Sequence, residues 1–159
     1  MSTGTTVVIG VGNPYRGDDG VGPAVIDVLK THRVAGAVLT RSHGEAADLI
    51  EAWSGADLAI LVDAVVAEPA HPGRVHRLVV HECPTERTRA ASSHGLDFGE
   101  AVELARVLGR LPGELVLYAV EVEQVEYGTR LSPAVARAAA RIAEQIGAEL
   151  AERRAPAVR

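Results

Sequence analysis

Two adjacent carboxylates, Asp18 and Asp19, stand at the end of a glycine-rich stretch, VVIGVGNPYRGDDGVG, that runs from Val7 to Gly22. Loops of this shape between a strand and a helix often cradle phosphate, but the residues here point elsewhere. A dinucleotide fingerprint needs a third glycine after Gly10 and Gly12, and Asn13, Pro14 and Tyr15 follow instead. The G-K-[ST] ending of a P-loop is also missing. Arg16 is the only cation in the stretch. Two aspartates repel a phosphate at ~4 Å by on the order of 1 kcal/mol even in water, and by more in a cleft. A metal ion suits them better.

A metal needs further ligands, and fold logic says where to look for them. In open α/β sheets, ligands gather beyond the carboxyl ends of the strands. Asp63 ends the apolar run LAILV, and a carboxylate in that place must be paired, hydrogen-bonded or bound to something. His94 lies in SSHGLDFGE, just ahead of a helical pattern. Asp19, Asp63 and His94 are therefore the candidate ligands and catalytic groups. Each also has a plain structural reading. Asp19 suits the first turn of a helix, Asp63 could accept backbone amides, and His94 could open a helix with a satisfied imidazole. His43, in RSHGE, is a reserve candidate. His32, His71, His76 and His81 read as surface or structural groups, and Cys83 as a plain structural residue. Ser92 and Ser93 read as loop or N-cap groups.

The elements that must position these groups follow from periodicity. Thr5 to Val11 reads as a buried strand, and Asp18 to about Thr31 as a helix with Val21, Val25, Val28 and Leu29 at helical spacing. Ala35 to Thr40 predicts a short second strand, and Glu45 to Trp53 a helix. Leu58 to Val62 is continuously apolar, as a central parallel strand covered on both faces would be, and Asp63 is expected to terminate it. Glu68 to Gly73 reads as a turn. Arg74 to Val80 alternates polar with apolar and predicts a strand near one edge. Cys83 to Ser93 is irregular. Leu96 to Leu108 reads as a helix with Phe98, Val102, Ala105 and Leu108 toward the core. Glu114 to Val120 is another buried strand. Pro133 opens a last helix, with Val135, Ala139, Ile142 and Ile146 inward. This alternation predicts helices around a mostly parallel sheet with one antiparallel edge, in a single domain over residues 1–150, followed by a frayed tail over 151–159.

Composition narrows the partners. The chain has 159 residues and is 47% apolar, enough for one substantial core; aromatics are only 3%, so Val, Leu, Ala and Ile must fill it. A net charge of −5 with no basic face argues against nucleic acid. No apolar run reaches the roughly 20 residues of a membrane span, and MSTGTT lacks signal-peptide features. With Cys83 the only cysteine, a reducing cytoplasm is the expected setting.

Taken in order, GVGNPYRGDDGVG, LVDAV, Pro72–Gly73, SSHGL and RLSP resemble the hydrogenase maturation proteases. The resemblance runs from Val7 to about Ile146. It implies a three-layer α/β/α sandwich of the phosphorylase/hydrolase-like type. It also implies an endopeptidase that removes the C-terminal extension of a [NiFe] hydrogenase large-subunit precursor after nickel insertion. The family's metal-binding positions fall on Asp19, Asp63 and His94. Some members carry glutamate where this chain has Asp19. Many carry an Asp-Gly-Gly segment where this chain has Arg41 to Glu45, and Glu45 is a candidate for the missing carboxylate.

Two carboxylates and an imidazole suit nickel, or zinc or another divalent ion in its place, while Mg²⁺ has no need of the histidine. In the family picture the nickel arrives with the substrate. Either the metal activates the carbonyl or a water, or a carboxylate serves as general base; no serine or cysteine nucleophile with a matching base stands out. Two rivals carry different expectations. One is a non-catalytic nickel checkpoint that binds the loaded precursor. The other is a phosphorylase/hydrolase-like enzyme acting on a small anion.

Overall fold

A computed structural model of the chain describes residues 4–80, 97–123, 127–128 and 130–154. The strands are β1 (Thr6–Val11), β2 (Val38–Ser42), β3 (Leu58–Val66), β4 (Val75–Val80) and β5 (Glu114–Val122). The helices among these residues are α1 (Val21–Thr31), α2 (Ala46–Trp53), α3 (Asp97–Leu108) and α4 (Pro133–Arg154), with a 3₁₀ turn at Gly17–Gly20 ahead of α1.

One five-stranded sheet has the order β2-β1-β3-β5-β4. β1 pairs in parallel with β2 and β3, β3 in parallel with β5, and β4 lies antiparallel on the edge. The expected mostly parallel sheet with an antiparallel edge is therefore present, and β3 lies at its centre. Helices α1 and α4 pack together on one face, α2 and α3 on the other. The alternation of side chains along each strand sorts the core into two clusters. Val8, Ile60, Val62, Val116 and Val120 meet α1 and α4. Val7, Ile9, Ala59, Leu61 and Leu117 meet Trp53 of α2 and Phe98 of α3. Two-sided burial of parallel strands is why these runs read as continuously apolar.

Several boundaries differ from the sequence reading. Asp63 does not terminate β3. It pairs with Ala119, and the strand continues to Val66, because β5 is equally long and offers ladder partners past the carboxylate. The second strand begins at Val38 rather than Ala35: α1 ends with Arg33 in the left-handed region at φ 52°, and Val34 N–H closes on the Leu29 carbonyl at 3.1 Å. Leu108 is 55% exposed rather than inward, since it lies in the last turn of α3. The four inward positions expected on α4 are all buried. That helix runs to Arg154, beyond the start of the expected tail, whose residues 155–159 lie outside the described residues. Cys83 to Ser93 also lies outside them.

Candidate active site

The sheet order creates one topological switch point. The chain leaves β1 through α1 to reach β2 on one side, whereas β3 lies on the other side of β1. The crevice between the carboxyl ends of β1 and β3 is where ligands bind in such sheets. Asp19 lies in the 3₁₀ turn that follows β1, and Asp63 lies on β3, one residue past the Gly10–Val62 pair that ends the β1–β3 register. Both are buried, at 0% and 4% exposure.

Close approach shapes the glycine loop. A Cβ on Gly22 would meet Val11 O at 2.4 Å and Val62 O at 2.6 Å, so the first turn of α1 presses on the end of β1 and on the neighbouring stretch of β3. Gly12 has φ +137°, and a Cβ there would meet Asp19 O at 2.0 Å. Protein backbone thus fills the space these glycines leave, and the loop forms no cradle there for a phosphate.

The adjacent carboxylates have separate employment. Asp18 accepts Ser132 N–H at 2.6 Å and Ser132 O–H at 2.9 Å. Ser132 directly precedes α4, and its carbonyl accepts Ala136 N–H at 2.8 Å, so Asp18 neutralises the positive end of that helix and ties RLSP to the opening loop. Asp19 Oδ2 accepts Asn13 N–H at 2.9 Å, which offsets part of the cost of burying it. Tyr15 and Gly17 are held by Gly128: Gly128 N–H donates to Tyr15 O at 2.9 Å, and Gly17 N–H to Gly128 O at 2.8 Å.

His94, with Ser92, Ser93 and His81, lies outside the described residues. Among the described residues no group of three His, Cys, Asp or Glu is placed to hold a metal ion. The two candidates that are described sit at one crevice on oxygen donors, the set a borderline divalent ion accepts beside an imidazole. His32, His43 and His71 are exposed. Glu45 is exposed at the start of α2 and makes no side-chain capping bond. There, Ser42 O–H donates to Asp48 at 2.5 Å.

Sequence reasoning passed over a second buried carboxylate. Glu121, near the end of β5, is 6% exposed. His76 Nε2 lies 2.7 Å from its Oε2, His71 N–H donates to Oε1 at 3.2 Å, and Arg74 Nε is 3.8 Å from Oε2. The signal was present, since an acidic residue after LVLYAV raises the same question as Asp63 after LAILV. The hydrogen bond from His76 holds the Glu121 carboxyl below the ordinary glutamate value, against an opposing effect of burial. A lowered folded-state pKa means that the stabilisation is complete above the unfolded value and is lost as pH falls through the folded one. Glu121→Gln should therefore lower the thermal midpoint by several degrees at neutral pH. The gap from wild type should narrow as pH falls below the ordinary glutamate range. Calorimetry of both proteins from neutral to acid pH checks this; a gap that persists unchanged in acid would refute it.

The comparisons with known proteins agree with this architecture. Residues 44–149 match the family model HycI, described as hydrogenase maturation protease. That match includes Asp63, His94 and Glu121 and begins after the Asp19 loop. The chain is 28% identical over 148 residues to the hydrogenase 2 maturation protease of Escherichia coli, covering 92% of this chain and 90% of that one. The structure of the hydrogenase maturating endopeptidase HybD from E. coli superposes with a TM-score of 0.79 at 26% identity, covering 93% of both chains. A solution structure of an endopeptidase from E. coli gives 0.81 at 25% identity, over 97% of this chain and 96% of that one. With two thirds of its length matched by the family model and the fold shared throughout, the chain belongs to the hydrogenase maturation protease family.

Proposed function

We propose that this protein is the endopeptidase that removes the C-terminal extension of a [NiFe] hydrogenase large-subunit precursor once nickel is in place. Asp19, Asp63 and His94 grip the nickel that the precursor carries, so the metal is part of the substrate and serves as the recognition element. The observation that carries this reading is the pair of buried carboxylates at the switch-point crevice, one from the turn after β1 and one from β3. A crevice with two anionic oxygen donors attracts a cation and repels a small anion. The glycine loop also lacks the open cradle that a phosphate would need. This separates the reading from that of an anion-processing enzyme.

The chain's own contribution is binding and orientation. Two side chains fixed by β1, β3 and the first turn of α1 hold the loaded precursor so that one peptide bond lies at the crevice. Positioning of that kind supplies a large share of a hydrolytic rate enhancement. Nickel-free precursor lacks the group to be gripped and should stay intact.

The test uses purified protein with nickel-loaded and nickel-free precursor, read by intact mass. C-terminal mass loss is expected only with the loaded form. Equal trimming of both forms would remove nickel from the recognition step. Binding of the loaded precursor with no mass loss would instead make the protein a checkpoint.

A further inference from the structure

We propose that His76 is the proton-transfer residue for peptide-bond hydrolysis, held in tautomer and orientation by the buried carboxylate of Glu121. This rests on the protease reading above and adds a catalytic group to it. Asp63, Ala119 and His76 form one row across the sheet, for Ala119 pairs with Asp63 on β3 and with His76 on β4. Residues in one row share a face, here the face of α2 and α3, where Ala119 packs. Glu121, two residues along β5, projects from the same face. Asp63 and His76 thus stand on either side of a single alanine, about 10 Å apart between Cα atoms. That span is roughly three residues of extended peptide.

The dyad has the features a proton carrier needs. Glu121 is an ionised acceptor with 8% of its side chain exposed, whereas the His76 side chain is 47% exposed. An ionised carboxylate can only accept, so the Nε2 that lies 2.7 Å from it carries hydrogen. In the neutral ring this leaves Nδ1 as a lone-pair acceptor. A carboxylate that fixes the tautomer of a partly exposed imidazole is the arrangement that makes histidine a general base in hydrolases. His71 N–H and the Arg74 guanidinium brace the carboxylate from the turn before β4.

In the proposed step, Nδ1 takes a proton from a water molecule as the water oxygen bonds to the scissile carbonyl carbon. The C–N bond then breaks, and the imidazolium returns that proton to the leaving nitrogen. One water is consumed, a carboxyl group and an amine are formed, and His76 ends neutral. His76 is the catalytic residue in this step, and Glu121 the positioning residue.

A single-turnover assay with nickel-loaded precursor tests the proposal, with precursor capture measured in parallel. His76→Ala should slow cleavage by about a hundredfold or more without weakening capture, and added imidazole should restore part of the rate. Glu121→Gln should slow the single-turnover rate, leave capture unchanged and gain nothing from imidazole. If His76→Ala fails to fold, His76→Gln carries the same test without the rescue arm. Cleavage near the wild-type rate in the His76 variant overturns the proposal and leaves the protease reading standing. A loss that imidazole does not relieve overturns the proton-transfer role. No cleavage by the wild type overturns the protease reading, and this proposal with it.

Discussion

Asp19→Asn and Asp63→Asn should each abolish trimming of nickel-loaded precursor while leaving the fold in place. The carboxylates are buried at one crevice, where solvent screens a charge little. Asparagine keeps the shape and one oxygen but removes the charge. If the site holds a cation, as proposed, losing an anionic ligand costs several kcal/mol of differential binding, which corresponds to a rate loss on the order of a thousandfold. The fold should survive because Asn13 N–H can donate to an amide oxygen at position 19 as it does to Oδ2. Asp18→Asn provides the contrast. Its carboxylate is committed to Ser132, so the variant should lose some stability and retain most activity. Precursor cleavage and thermal midpoints of the three variants measure this together. Wild-type trimming by Asp19→Asn would remove that residue from the site, and an inactive but stable Asp18→Asn would exchange the roles of the two neighbours.

Gly22→Ala should be strongly destabilising. The new Cβ would lie 2.4 Å from Val11 O and 2.6 Å from Val62 O, and both oxygens belong to paired strands that cannot yield separately. Overpacking a core costs 1–3 kcal/mol when side chains can adjust. Here backbone meets backbone, so a loss of about 3 kcal/mol or more is expected, and the thermal midpoint should fall by about 10 °C for a chain of this length. Chemical denaturation of the variant checks the figure. Gly55→Ala is the control, since nothing lies within 4 Å of a Cβ there and only the cost of φ +79° applies. If Gly22→Ala were as stable as wild type, α1 would not press on β1 and β3 as described, and the crevice would be wider than it is.

What the sequence determined by itself was local and repetitive. Apolar runs such as LAILV and LVLYAV announced strands buried on both faces, because period and burial are properties of a segment. The helical spacing of Val135, Ala139, Ile142 and Ile146 identified the inner face of α4 for the same reason. Asp63 stood out because a charge beside such a run must be compensated wherever the run goes, although its strand proved to continue. Only the tertiary structure decided which carboxylates share a place. The order β2-β1-β3-β5-β4 puts the ends of β1 and β3 side by side, and no local pattern encodes strand order. It also separated Asp18 from Asp19, identical neighbours in the chain, by turning one toward Ser132 at the start of α4 and burying the other beside Asn13. The His76–Glu121 pair is the clearest case. Its members lie 45 positions apart, and their meeting depends on the antiparallel pairing of β4 with β5. That register is set by contacts distributed over both strands and cannot be read from either residue alone.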